Sequence, residues 1–151
     1  RTAEPELLRS LQEHYRDNGN VSWNDDNDNT EILNAADIMV SDISGVMFDL
    51  AFVFDKPFLH AHADYDGSPY DSAWVDEPMW SFTVIPELGR EITRADFPRL
   101  KQIIDETVSS PAMAERRVQI RDNAWHYQGE GGKITMDYLV KKQKLLAREG
   151  L

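Results

Sequence analysis

Two serines, an aspartate and a glycine fall within five positions, Ser41-Asp42-Ile43-Ser44-Gly45, and Asp49 follows four residues after the glycine. Set just before an apolar stretch of helical spacing, these are the parts of an anion site. A serine at a helix start turns its hydroxyl toward the ligand side, and the N–H groups of the first turn have no partner within the helix. Glycine lets a phosphate approach the backbone because it carries no Cβ. Asp49 lies a little over one turn beyond Ser44, on the edge that would face a ribose or glyceryl hydroxyl and accept its hydrogen bond. The chemistry that fits is binding of a diphosphate and stabilisation of charge as one of its P–O bonds breaks. Spacing alone leaves a second reading open, in which Ser44 is an ordinary cap and Gly45 packs the helix against a sheet.

Other clusters invite chemistry less directly. His60 and His62 form a His-x-His pair near a strand end, with both rings on one face, and Asp64 follows. That is compatible with a metal, with substrate contact or with polar packing, and no metal ligand is assigned. The run Asn24 to Thr30 carries carboxylates suited to calcium but lacks the Gly and the Glu of an EF-hand loop, so it reads as a solvated loop. Gly129 to Lys133 fails the P-loop spacing, with Ile134 after the lysine, and reads as a turn between helices. Trp125 and Tyr127 fit helix packing with Val118 and Ala124. Trp74 and Trp80 belong to an irregular aromatic and acidic stretch, residues 62–80, that covers a nucleotide site or fills a core edge.

The elements that would position these residues follow from periodicity. Leu7, Leu8, Leu11 and Tyr15 predict a helix over residues 4–16, Val21 to Trp23 a short strand, and Ile32, Leu33 and Ala36 a short helix capped by Asn29 or Thr30. Ile38-Met39-Val40 reads as a strand buried on both faces. A helical spacing of Ile43, Val46, Met47, Leu50, Val53 and Phe54 follows, stopped by Asp55-Lys56-Pro57, and then a second buried strand, Phe58 to Ala61. Phe82 to Ile85 is assigned to a further strand. Residues 94–108, 112–127 and 135–148 are predicted as helices. Strand, turn, helix and strand in that order predict an α/β fold, a Rossmann-like parallel sheet flanked by helices, in one domain over residues 1–151.

Composition narrows the classes. The chain has 151 residues, 41% of them apolar, which suffices for one packed core. A net charge of −11 argues against a nucleic-acid partner, while a local phosphate site built from backbone N–H groups survives it. There is no cysteine, which removes disulfides and thiolate metal sites and agrees with a cytosolic compartment. The longest apolar stretch, Val46 to Phe54, is broken by Asp49 and is too short to span a bilayer, which takes roughly 20 residues. The opening at Arg1 without an initiator methionine reads as a cut from something longer.

The run from Ala36-Asp37 through Ile38-Met39-Val40 to Ser41-Asp42-Ile43-Ser44-Gly45-Val46-Met47-Phe48-Asp49, with Lys56-Pro57 beyond it, resembles the CDP-glycerol glycerophosphotransferase family. The likeness extends more loosely through Ser68-Pro69-Tyr70-Asp71 and Phe97 to about Leu139. It implies the C-terminal, donor-binding half of a GT-B fold of two facing Rossmann-like domains, truncated on its N-terminal side. The implied activity moves glycerol phosphate from CDP-glycerol, or a related nucleotide-diphosphate donor, to a hydroxyl of a lipid-linked or polymeric acceptor of the teichoic-acid type. CMP leaves, and no cofactor and no metal are implied. Ser41, Asp42, Ser44, Gly45 and Asp49 match the donor-binding motif, and no catalytic residue is assigned. The implied place is cytoplasmic, peripheral to the inner face of the plasma membrane, with a missing N-terminal acceptor domain as partner.

One departure counts against turnover by the chain alone. The family's His-Pro motif is absent, and His14, on a predicted helix, does not replace it. Two alternatives stand beside this reading: a GT-B transferase domain for another nucleotide-activated polyol or sugar, and a non-catalytic α/β interaction module.

Overall fold

A computed structural model of the chain describes residues 3–26, 28–42, 44–61 and 74–149. It falls into two compact units, Arg1–Ile32 and Leu33–Leu151.

In the first unit the leucine spacing produces helix α1, Ala3–His14, with Leu7, Leu8 and Leu11 exposed along it. The expected strand at Val21 to Trp23 is not formed. Residues 21–26 adopt no regular structure, and Val21 and Trp23 are both exposed. Asn and Asp side chains bend this stretch by accepting the N–H two residues on. Asn18 accepts from Asn20 at 3.0 Å, Asn24 from Asp26 at 3.1 Å and Asp28 from Thr30 at 2.9 Å. The carboxylates expected to be solvated are thus partly engaged in turns. Hydrogen bonds from Thr30 hold the Asp28 carboxyl below its ordinary pKa. Helix α2, Thr30–Ala35, starts at the last of these turns.

In the second unit three short strands, β1 (Met39–Ser41), β2 (Phe58–Ala61) and β3 (Arg90–Ile92), form a parallel sheet in that order. The pairs Met39 with Phe58 and Leu59 with Arg90 set the register. Because strand side chains alternate, Phe58 and Leu59 serve opposite cores. Phe58 packs among Met47, Leu50, Val84, Ile85, Leu88 and Ile120, whereas Leu59 packs with Ile92 and Ile103.

The first core is made by a helical segment after β1, by α4 (Trp80–Leu88) and by α6 (Pro111–Ala124). The second is made by α5 (Leu100–Val108), which follows a 3₁₀ turn over Arg94–Arg99. Thr93 and Asp96 close that turn as a reciprocal cap. Arg99, then Thr93, lower the Asp96 carboxyl to about 2 through hydrogen bonds to the charged form. Helix α7, Gly131–Glu149, begins inside the stretch read as a turn, which occupies only Tyr127 to Glu130.

The mixed α/β class, with a parallel sheet flanked by helices, is as expected. In this unit two local readings change, and one strand is new. Phe82 to Ile85 is helical, because Val84, Ile85 and Leu88 place one stripe against the Phe58 core at helical spacing. β3 had no forecast: it is three residues long and buries only Ile92. Val40, expected to be buried on both faces, is 54% exposed. β1 is the outer strand of the described sheet, and the Leu59 core does not extend over its end.

Gly89 connects α4 to β3 at a φ of −122°, a conformation open to any residue, so its requirement is steric. A Cβ there would overlap the ring of Phe58, which is wholly buried. Gly89→Ala should therefore cost about 1–3 kcal/mol in denaturant unfolding. The double variant with Phe58→Leu should recover part of that loss, because both changes act on the same space.

Candidate functional site

Ser41 ends β1, and the register sets it beside His60, with Glu91 next in the same row. Paired positions in a parallel sheet share a face, so these three polar residues line one row near the carboxyl ends of three strands, where open α/β sheets bind their ligands. His60 was expected to pair with His62, which lies outside the described residues together with Asp64 and the rest of 62–73. Here it is a buried strand residue whose ring centroid is 6.3 Å from that of Phe58. A Ser-His-Glu row arises from pairing between strands far apart in sequence, so spacing along the chain carried no signal of it.

Beyond β1 the chain turns into the helical segment, α3 (Val46–Phe48) continued by a π-helical turn, Asp49–Val53. Its opening is tight: the Met47 N–H donates to the Ser44 carbonyl at 3.2 Å, and that of Phe48 to Gly45 at 3.0 Å. The N–H groups of Gly45 and Val46 lie ahead of these bonds. Gly45, not Ser44, holds the capping position, and no side chain caps it. The Ser44 hydroxyl, half-buried, is thus not used as the expected cap. Gly45 has φ −60° and ψ −28°, and among the described residues beyond its chain neighbours nothing lies within 4 Å of where its Cβ would be. Neither backbone conformation nor packing against the sheet requires glycine here.

The far end of the segment is heavily tied. Asp55 adopts a φ of +51°, the left-handed conformation that ends many helices, and the Lys56 N–H closes the turn on the Leu50 carbonyl at 3.2 Å. Arg117 of α6, itself buried, donates to the Asp55 carboxylate at 3.3 Å and to its carbonyl at 3.2 Å. The Lys56 ammonium donates to the carbonyls of Leu33, at 3.1 Å, and Asn34 in the last turn of α2. Pro57 is buried, and its carbonyl accepts from Met39 at the start of β1. The Lys-Pro pair is therefore architectural.

Asp49 is exposed at the first position of the π turn. It opens on a groove of ≈ 540 Å³ between Phe48, Phe52 and Val53 of the same segment, Trp80 of α4, and Trp125 after α6. Phe48 stacks on Trp80 with centroids 5.6 Å apart and lies 5.7 Å from Phe52. Ser41, Asp42, Ser44 and Gly45 are not among the residues lining it. The five expected site residues thus divide: four at the end of β1 and the start of the segment, and Asp49 one turn along, on the groove wall. Trp125, read as helix packing, is 36% exposed and Tyr127 65% exposed, because α6 stops at Ala124 and releases both from the core.

Residues 5–75 match the CDP-Glycerol:Poly(glycerophosphate) glycerophosphotransferase family. The match takes in the whole run from Ala36 to Lys56-Pro57, so the resemblance in that motif holds, and it covers just under half of the chain. It points to a transferase family with a CDP-glycerol donor and a polymer acceptor. No curated protein and no solved structure matches the chain. No helix among the described residues is long and apolar enough to cross a membrane.

The left-handed turn gives a test of what holds the segment in place. Asp55→Gly removes the steric cost of φ +51° together with the ion pair, whereas Asp55→Ala removes the ion pair alone. The alanine variant should be the less stable of the two by about 1 kcal/mol, measured by urea unfolding. Arg117→Met should destabilise by about 1–3 kcal/mol, since it also deprives the Asp55 carbonyl of its donor.

Proposed function

We propose that the chain supplies the donor-binding side of a transferase that moves glycerol phosphate from CDP-glycerol to an acceptor hydroxyl, releasing CMP. The observation that carries the reading is the family match over residues 5–75, which contains Ser41, Asp42, Ser44, Gly45 and Asp49. The open surroundings of Gly45 support it, since the glycine serves neither fold nor packing and a ligand at the backbone would account for it.

In the transfer, the acceptor oxygen attacks the phosphorus that bears glycerol. The bridging P–O bond breaks, its electron pair leaves with CMP, and the hydroxyl proton passes to a base. The work assigned to this chain is to hold the diphosphate. The N–H groups of Gly45 and Val46 and the hydroxyls of Ser41 and Ser44 donate to its oxygens as charge develops. Asp49 accepts a hydrogen bond from a hydroxyl of the glyceryl or ribosyl part. The base and the acceptor site are expected from the facing domain of a GT-B pair, and the site works at the inner face of a membrane that carries the acceptor.

Calorimetry with CDP-glycerol tests the reading. Binding is expected, with CDP competing better than UDP or GDP; preference for another base would transfer the reading to another nucleotide-activated polyol or sugar. Gly45→Val should weaken binding at least about tenfold, while stability changes by no more than about 0.5 kcal/mol, because a Cβ there meets nothing within 4 Å among the described residues. Ser44→Ala should weaken it by a smaller factor. Absence of heat and of amide shift changes at millimolar CDP-glycerol in a folded sample would overturn the proposal, as would wild-type binding by Gly45→Val.

A further inference from the structure

The groove beside the motif has a composition that the transfer of glycerol phosphate does not explain. Four of its walls are aromatic, from Phe48, Phe52, Trp80 and Trp125, and Asp49 is the only charged group among the described residues lining it. Trp80 is 51% exposed, so a large apolar ring is left facing solvent at its mouth. The Asp49 carboxylate forms no ion pair and accepts no hydrogen bond among the described residues, unlike Asp122, three residues before Trp125, which accepts from Arg121 at 2.9 Å and Gln128 at 3.2 Å. Among the described residues, no Lys, Arg or His lines the groove.

Each class of occupant meets these walls differently. An anion would face Asp49 in a chain of net charge −11, with no cation among the described lining residues to offset it. A purely apolar group would use the rings and leave the carboxylate desolvated without a partner. A cation satisfies both parts, because the negative faces of aromatic rings attract positive charge and a carboxylate at their edge adds a full opposite charge.

We propose that the groove bounded by Phe48, Asp49, Phe52, Trp80 and Trp125 binds an organic cation, a quaternary ammonium or protonated amine group. The site is distinct in chemistry from the diphosphate reading. Phe52, Trp80 and Trp125 fall outside the residues assigned to the donor, and the groove would serve a cationic group whether or not CDP-glycerol is the donor. Only Asp49 is common to both.

Choline and its uncharged isostere, 3,3-dimethyl-1-butanol, test this on the purified chain, with binding followed by calorimetry and by the indole N–H resonances of Trp80 and Trp125. Choline is expected to bind and to shift both resonances, with the isostere weaker by roughly tenfold or more. Asp49→Asn and Trp80→Ala should each weaken choline binding roughly tenfold, with unchanged circular dichroism, since both residues are exposed. Trp125→Ala gives the same readout if Trp80→Ala fails to fold. Ser44→Ala should leave choline affinity unchanged, which separates this site from the donor site. Equal affinity for choline and the isostere would overturn the proposal in favour of a neutral or apolar occupant. So would the absence of choline binding in a sample shown to be folded.

Discussion

The arrangement depends on the burial of β2. Phe58 and Leu59 are fully enclosed and point to opposite sides, so this one strand ties together both helical layers. Its register against β1 sets Ser41 beside His60, and its approach to Gly89 brings α4, and with it Trp80, toward the segment that carries Asp49. Loss of fit at Phe58 would move both sides of the candidate site together. For a sheet of three short strands this coupling is strong, because interior packing at crystal-like density leaves little slack to absorb a shift.

Charge is distributed unevenly along the helical segment. At its carbonyl end Arg117 donates to Asp55, where positive charge complements the helix dipole, while the Lys56 ammonium is committed to the last carbonyls of α2. The amide end, at Gly45, has no such partner among the described residues, and Asp42 and Asp49 beside it are exposed. An anion held there would be held by N–H and O–H dipoles and not by counter-charge. That manner of binding suits a strongly acidic chain, because it needs no lysine or arginine to be diverted from the fold.

What the sequence revealed follows from where the signal is local. The helix of α1, the strand at Phe58 to Ala61 and the stop at Asp55-Lys56-Pro57 are written in apolar spacing and in residues with restricted backbones, and each is found close to where it was read. The Ser41 to Gly45 turn was also legible, since it follows a strand and precedes a helix. Phe82 to Ile85 was misread because a short apolar run has the same look in a buried helix and a strand, and only the distant Phe58 core decides between them. β3 was missed because its single buried residue leaves no alternation to detect. Val40 and Trp125 failed for a common reason: their exposure depends on where a sheet edge or a helix end falls, which is a tertiary fact. The row of Ser41, His60 and Glu91 was invisible because it exists only across strands.

The groove owes its shape to an irregularity that no periodicity argument contains. In a regular α-helix, positions four apart drift by about 40° around the axis, so Phe48 and Phe52 would begin to diverge, as would Asp49 and Val53. The π turn over Asp49–Val53 widens the spiral and reduces that drift, keeping the two aromatic rings on one wall with the carboxylate beside them. Such turns interrupt the regular α-helical hydrogen-bond pattern and are frequent at functional sites. Here the interruption is offset at its lower end by the Asp55 turn, the Lys56 closure and the buried Arg117. The segment is therefore tightly anchored below and open along one side, which lets an exposed Asp49 and exposed aromatic rings stand together on a fixed surface.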